Sequence, residues 1–315
     1  MGDNSNHGVL YFIYGIVVVF AFYSIISTIW IIYYSSTLKS HNTILMMISR
    51  NILVANAIHV ISYILNWVEW NDNKSSLLFN SDSLCQFQSF LMSSSSISQG
   101  LWIIFYELIH TLSIISNLRR KGTRRIKSSI LYIIGYFLPA LLCFFFLFER
   151  EKVYGPNDIY CYFDKLKSTE GSVTKRCQNI IFILRWIIIV IIAIFSILYV
   201  VFICMKKISL QQYKFNKNLT WRLLSYPLIQ LYGTLYPTLY RYFGISVSFG
   251  NSYLIVLLGG SQGILFPFCF FITSEGFFSA CIKCKKDTSD IDTLDRADSE
   301  LSTDVLNLSL DDTNP

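Results

Sequence analysis

Eight cysteines, four histidines and a few ionisable groups inside apolar stretches are the residues of this 315-residue chain equipped for chemistry. Cys85, Cys161 and Cys177 flank long apolar runs and suit disulfide formation if they share an oxidising compartment. Cys143, Cys204 and Cys269 lie within apolar runs and read as packing residues. Cys281 and Cys284, set among Lys283, Lys285 and Lys286, suit S-palmitoylation beside anionic lipid. A redox or zinc reading of that pair lacks a second ligand pair. His7, His41, His59 and His110 are too scattered for a spaced metal motif. No glycine-rich phosphate loop or nucleophile elbow occurs. The chain therefore reads as a non-enzyme that needs no cofactor.

The elements that must position these groups are membrane helices. Hydrophobic residues make up 53% of the chain and charged ones 15%. Apolar runs of roughly 20 residues recur, the length a helix needs to cross about 30 Å of hydrocarbon. The alternating strands of a membrane barrel do not fit such runs. The spacing predicts seven helical spans, at about residues 9–34, 44–66, 86–118, 129–148, 178–205, 219–243 and 251–272. The fold class expected is an all-α seven-span bundle. Inner loops and the juxtamembrane tail then hold 16 Lys and Arg against seven in the outer loops, which sets the N-terminus outside and the C-terminus in the cytoplasm. These cations are topology signals, and a nucleic-acid partner is not expected. Residues 1–8 form a short outer segment without the cations of a cleavable signal. Residues 273–286 suit an amphipathic helix on the membrane surface. Residues 287–315 carry nine acids and one Arg and read as a disordered tail. Thr288, Ser289, Ser299, Ser302 and Thr303 lie among those acids as candidate phosphorylation sites.

In this topology Cys85 heads span three and Cys161 lies in the second outer loop, so a disulfide is permitted and would draw the loop across the outer mouth. Cys177 lies near the same surface and competes; Cys85–Cys161 is the preferred pair. Asn73-Lys74-Ser75 is a glycosylation sequon in the first outer loop. Gln88, Ser95, Gln99, Tyr106 and His110 fall within about 60° of one another on span three and should face the interior. Gln88, near the outer end, is a candidate ligand contact, and Met92 one turn below it joins the candidate set. Serines 93–98 read as interhelical glue.

Glu107 is the only acid inside a span, and a buried carboxylate is costly unless paired or protonated. Asn56, Glu107, Gln230 and Gln262 reach similar depth when residues are counted from the inner surface. They are expected to form one polar layer, either a static network or one that rearranges on activation. Arg185 and Arg241 put cations in the outer part of the bundle, where an Arg fork matches phosphate or carboxylate. Snorkelling to headgroups is the alternative, and the stronger one for Arg241 at a span end. Pro227, Pro237 and Pro267 weaken spans six and seven locally.

Arg222-Leu-Leu-Ser-Tyr226-Pro227-Leu-Ile ending near Arg241, Ser261-Gln262-Gly263-Ile-Leu, Tyr154-Gly155-Pro156 before Cys161-Tyr162, Cys85 and Trp102 together resemble the slime-mould cyclic AMP receptor and cAMP-receptor-like family of G-protein-coupled receptors. Each motif is short. Phe266-Pro267 stands where that family has an Asn after Gln-Gly, and Ile109-His110-Thr111 replaces its acid-Arg-Tyr triplet. The resemblance implies an extracellular small-molecule ligand, anionic and cyclic-nucleotide-like, and a heterotrimeric G protein. That protein would meet the second and third inner loops, through Arg119, Arg120, Arg124, Arg125, Lys206 and Lys207. Span seven carries no Lys, which removes a retinal Schiff base. The expected location is the plasma membrane. The rival reading is a small-molecule transporter or channel, which predicts internal repeats and a polar through-path; neither is visible. A seven-span scaffold, or one signalling without G proteins, is a third.

Overall fold

The computed structural model describes residues 3–37, 44–65, 68–71, 74–77, 82–119, 128–149, 152–157, 160–164, 166–169, 171–206, 217–242 and 249–273. Seven long helices run through them: α1 (Asp3–Thr37), α2 (Ile44–Ser62), α3 (Asp82–Arg119), α4 (Ser128–Phe145), α5 (Val173–Lys206), α6 (Lys217–Tyr242) and α7 (Phe249–Thr273). Two antiparallel hairpins lie between them, β1 (Val68–Asn71) with β2 (Lys74–Leu77), and β3 (Tyr154–Asn157) with β4 (Tyr160–Phe163). Five helices are long and apolar enough to cross a membrane on composition alone: α1, α2, α4, α5 and α7. α3 and α6 cross beside them with more serine, threonine and tyrosine. Phe12, Phe22 and Trp30 of α1, Phe137 and Phe145 of α4 and Ile183, Ile187 and Ile194 of α5 are exposed and form the lipid-facing surface.

Helix α3 is the spine. It packs against α2, α4, α5 and α6 and against both strands of the second hairpin, while α7 closes the bundle against α1, α2 and α6. Small side chains make this possible. Ser89, Ser93, Ser94, Ser95, Ser96 and Ser98 are all buried. Three of them return their hydroxyls to their own helix, Ser89 to the Cys85 carbonyl at 2.8 Å, Ser94 to Phe90 at 2.8 Å and Ser95 to Leu91 at 2.5 Å. Each thus satisfies its polar atom without water and presents a thin face to a neighbour. At Gly100 an added Cβ would stand 2.5 Å from Ile188 of α5, so α3 and α5 touch there only because the side chain is absent.

Pro139 shapes α4. It cannot donate to the carbonyl four residues back, and the helix answers with a π turn over Ile133–Phe137, where the Leu138 N–H bonds the Ile133 carbonyl. The turn sets Gly135 flat against Trp102 of α3, whose indole packs edge-on to Tyr132 and tilted on Tyr136. Tyr136 donates to the Asn51 carbonyl of α2 at 2.8 Å, tying three helices at one level. α6 behaves differently and continues through both Pro227 and Pro237. Thr234 and Thr238 on its buried side back-bond to Gln230 and Thr234, each at 2.6 Å.

Candidate functional site

The second hairpin forms the roof of the site. Tyr160, Cys161, Tyr162 and Phe163 are at most 2% exposed, so β4 is sunk into the bundle rather than lying on it. A disulfide between Cys85 at the head of α3 and Cys161 in β4 holds it there. Cys177 is a free, buried thiol and does not take that place. Tyr154 donates to the Cys143 carbonyl of α4 at 3.4 Å, and Phe146 packs on both Tyr154 and Phe163. Burial lifts the phenols of Tyr154 and Tyr162 above their ordinary range, so both stay neutral; Arg185 pulls Tyr162 the other way but less strongly.

Beneath that roof lie Gln88, Met92 and Ser93 of α3, His59 and Ser62 of α2, Cys143 of α4 and Arg185 of α5. Gln88 donates to the Ser62 carbonyl at 2.7 Å, while its Oε1 is buried without a partner. Met92 is 2% exposed. His59 Nδ1 meets Ser95 Oγ at 3.3 Å, and its ring stands edge-on to Tyr63. The Arg185 guanidinium lies over the Tyr162 ring, 5.5 Å from its centroid. Its Nε has no hydrogen-bond partner among the described residues.

The position of Arg185 is informative. It comes four residues after Ile181 and three before Ile188, so it shares their face of α5. Ile181, Ile188 and Ile192 are buried, yet Arg185 between them keeps accessible surface. Gln88 and Met92 of α3 are buried, and Arg185 of α5 lies against Tyr162 of the hairpin; the Arg241 side chain lies outside the described residues.

A second polar cluster sits deeper. Gln99 donates to Asn56 Oδ1 at 3.1 Å, and Asn56 Nδ2 reaches Ser24 Oγ at 3.4 Å and the Gln262 carbonyl at 3.3 Å. Gln262 Nε2 in turn donates to the Ile229 carbonyl of α6 at 3.1 Å. This one network spans α1, α2, α3, α7 and α6. Asn56 and Gln262 of the expected layer are in it, and Gln99 supplies the α3 member. Glu107 is 1% exposed with Oε1 unpartnered, but eight residues beyond Gln99 place it about 12 Å further along α3. Gln230 is 2% exposed, and its Oε1 also lacks a partner. Below the network Tyr106 packs on Tyr226 and Tyr226 on Phe266, joining α3, α6 and α7.

The expected inner contacts and modification sites fall mostly outside the described residues: Arg120, Arg124, Arg125, Lys207, Asn73, Cys281 and Cys284, and the segments 274–286 and 287–315. Arg119 and Lys206 end α3 and α5.

Seven helices around a central third, an outer hairpin clamped to that helix and polar clusters within the bundle define a membrane protein of G-protein-coupled-receptor-like fold. Among solved structures the chain is similar to squid rhodopsin, with a TM-score of 0.63 and 16% identity over 93% of this chain and 86% of that one. At that identity the likeness is one of fold. No described family and no curated protein matches the sequence.

Proposed function

We propose that the chain is a plasma-membrane receptor that binds a small extracellular anion, cyclic-nucleotide-like in class, and activates a heterotrimeric G protein. The observation that carries this reading is Arg185, a cation on the inward face of α5 that is only partly buried, lies against Tyr162 of the hairpin and has an Nε without a partner among the described residues. Among the described residues no carboxylate pairs with it, so an anion from outside would supply the missing partner. Gln88 Oε1 offers an acceptor to a ligand hydroxyl or amide N–H, and Met92 an apolar wall. Arg241, at the outer end of α6, is the second proposed cation. The resemblance to cAMP-receptor-like proteins points to the same ligand class.

Binding shifts an existing equilibrium toward a state in which the inner end of α6 moves out. The network through Asn56, Gln99 and Gln262 is the element that breaks and re-forms, with Glu107 and Gln230 as buried groups whose partners change. Arg119, Arg120, Arg124, Arg125, Lys206 and Lys207 then meet the G protein. Glycosylation at Asn73 and palmitoylation at Cys281 and Cys284 fit an outer loop and a cytoplasmic juxtamembrane segment.

The test is G-protein dissociation in cells expressing the chain, triggered by a panel of cyclic nucleotides and other anionic metabolites. One or more should give a saturable response that Arg185→Ala abolishes. An identical dose–response curve for Arg185→Ala would remove the anion site. Net uptake of the same compounds without dissociation would make the protein a transporter.

A further inference from the structure

The contact of Arg185 with the hairpin bears on what kind of anion it accepts. A guanidinium is planar, and its N–H donors all point outward in that plane. The Arg185 Cζ lies over the Tyr162 ring, 5.5 Å from its centroid. The contact ties the guanidinium to β4 on one side. One of its donors, Nε, is buried and without a partner among the described residues.

Tyr162 is itself held rigidly. It is wholly buried, follows the disulfide-bonded Cys161, packs edge-on against Phe163 and adjoins Ser93 of α3. The strand that carries it pairs with β3 through a Gly155–Tyr162 register. At Gly155 a Cβ would stand 2.8 Å from the Asp164 carboxylate, so the hairpin closes tightly around this residue. The ring is a fixed platform, and the arginine is the side chain placed upon it.

We propose that Tyr162 is a positioning and specificity-determining residue, which orients the Arg185 guanidinium for an incoming anion and so selects oxyanions able to bond it with two oxygens. This rests on the anion-receptor reading above and deepens it. The ligand class is a phosphoryl, sulfonyl or carboxylate group, in preference to monatomic anions of equal charge. An ammonium on the same stem would hold a point charge with no planar fork to present. The contact would also hold part of the guanidinium's freedom before the ligand arrives, which lowers the ordering cost of binding.

The experiment uses the full chain in lipid nanodiscs and reads its melting temperature against inorganic phosphate or chloride at matched ionic strength. Phosphate should stabilise the unaltered chain and chloride should not. Tyr162→Phe keeps the ring and should leave the half-effective phosphate concentration within about twofold. Tyr162→Leu should raise it about tenfold, the scale of a lost partly desolvated cation–π contact. Arg185→Lys should abolish the preference for phosphate over chloride; because it leaves the hairpin intact, it decides the matter if Tyr162→Leu does not fold. A half-effective concentration unchanged in Tyr162→Leu, or a phosphate preference retained by Arg185→Lys, overturns the role of the Tyr162 contact, while loss of the phosphate effect in Arg185→Ala keeps the anion site. No phosphate effect in the unaltered chain, or the same effect in Arg185→Ala, overturns the anion reading itself.

Discussion

Gly233→Ala is the substitution from which the deep network should suffer most per atom added. Gln262 reaches from α7 across α6 to the Ile229 carbonyl, and it passes over Gly233 to do so. A Cβ built at Gly233 would overlap the Cδ and Nε2 atoms of Gln262. Alanine in mid-helix should by itself stabilise by about 0.5–1 kcal/mol relative to glycine. Against that stand about 1–3 kcal/mol for a buried amide left without its bond and a similar amount for overpacking, so the net loss should be about 1–5 kcal/mol. The Gln262 amide is 0% exposed, so water cannot take over the bond without the helices parting. The assay is thermal unfolding of purified protein in detergent for Gly233→Ala, Gln262→Ala and the double variant. The two changes should be strongly non-additive, because Gln262→Ala removes the atoms that the new methyl strikes. A Gly233→Ala protein that melts at or above the unaltered one, or a strictly additive double variant, would refute the argument.

Two further outcomes concern the walls of the bundle. In Gly135→Ala the added methyl meets the Trp102 indole, 2.6 Å from Cε2, and α4 has to move off α3; the expected cost is about 1–3 kcal/mol, read as a lower melting temperature, with Gly135→Val worse. Cys85→Ser opens the link to Cys161, which spans 76 residues of sequence, and should cost about 2–4 kcal/mol. Hydrogen exchange should rise first in β3 and β4, and equal protection there with and without the disulfide would contradict the picture of a clamped roof.

The helices were legible because the bilayer imposes a length, and apolar runs near 20 residues reveal it whatever the tertiary contacts are. The disulfide was legible for a related reason, since topology places only a few cysteines on the oxidising side. Depth inside the bundle was harder to read. Counting inward from loop ends assumes helices that stop at the membrane surface, but α3 has 38 residues and runs about 57 Å, well past a 30 Å core. That excess shifts the count by two turns, which is why Gln99 rather than Glu107 bonds Asn56. The second hairpin was also missed. Its strands are four residues each, Tyr-Gly-Pro-Asn and Tyr-Cys-Tyr-Phe. The aromatic run and the intervening turn residues were a usable signal, but they lie in a loop whose mixed charge reads as solvent-exposed. Tyr63 and Gly233 gave no signal, because their roles depend on which helix lies opposite.

Tyr63 connects the two polar clusters. Its ring stands edge-on both to Tyr160 of β4, at 5.7 Å, and to His59, at 5.2 Å, and its hydroxyl meets the site a Cβ would occupy on Gly259 of α7. Gly259 is three residues from Gln262, so the two lie on adjoining turns of one face. Displacement of the hairpin by a ligand beneath it would press through Tyr63 onto α7 just above the residue that holds α6. Adjacency alone does not make a signalling path; an element with two arrangements is also required. The Gln262–Ile229 bond qualifies, because it joins α7 to a helix carrying Pro227 and Pro237. Pro237 removes the N–H that would have bonded the Gly233 carbonyl, and Pro227 the one for Leu223. α6 is thus least supported by its own hydrogen bonds on both sides of the point where α7 grips it. Releasing one side-chain bond there frees a segment already short of two, so a small shift at the hairpin can become a bend in α6 rather than fading through the bundle.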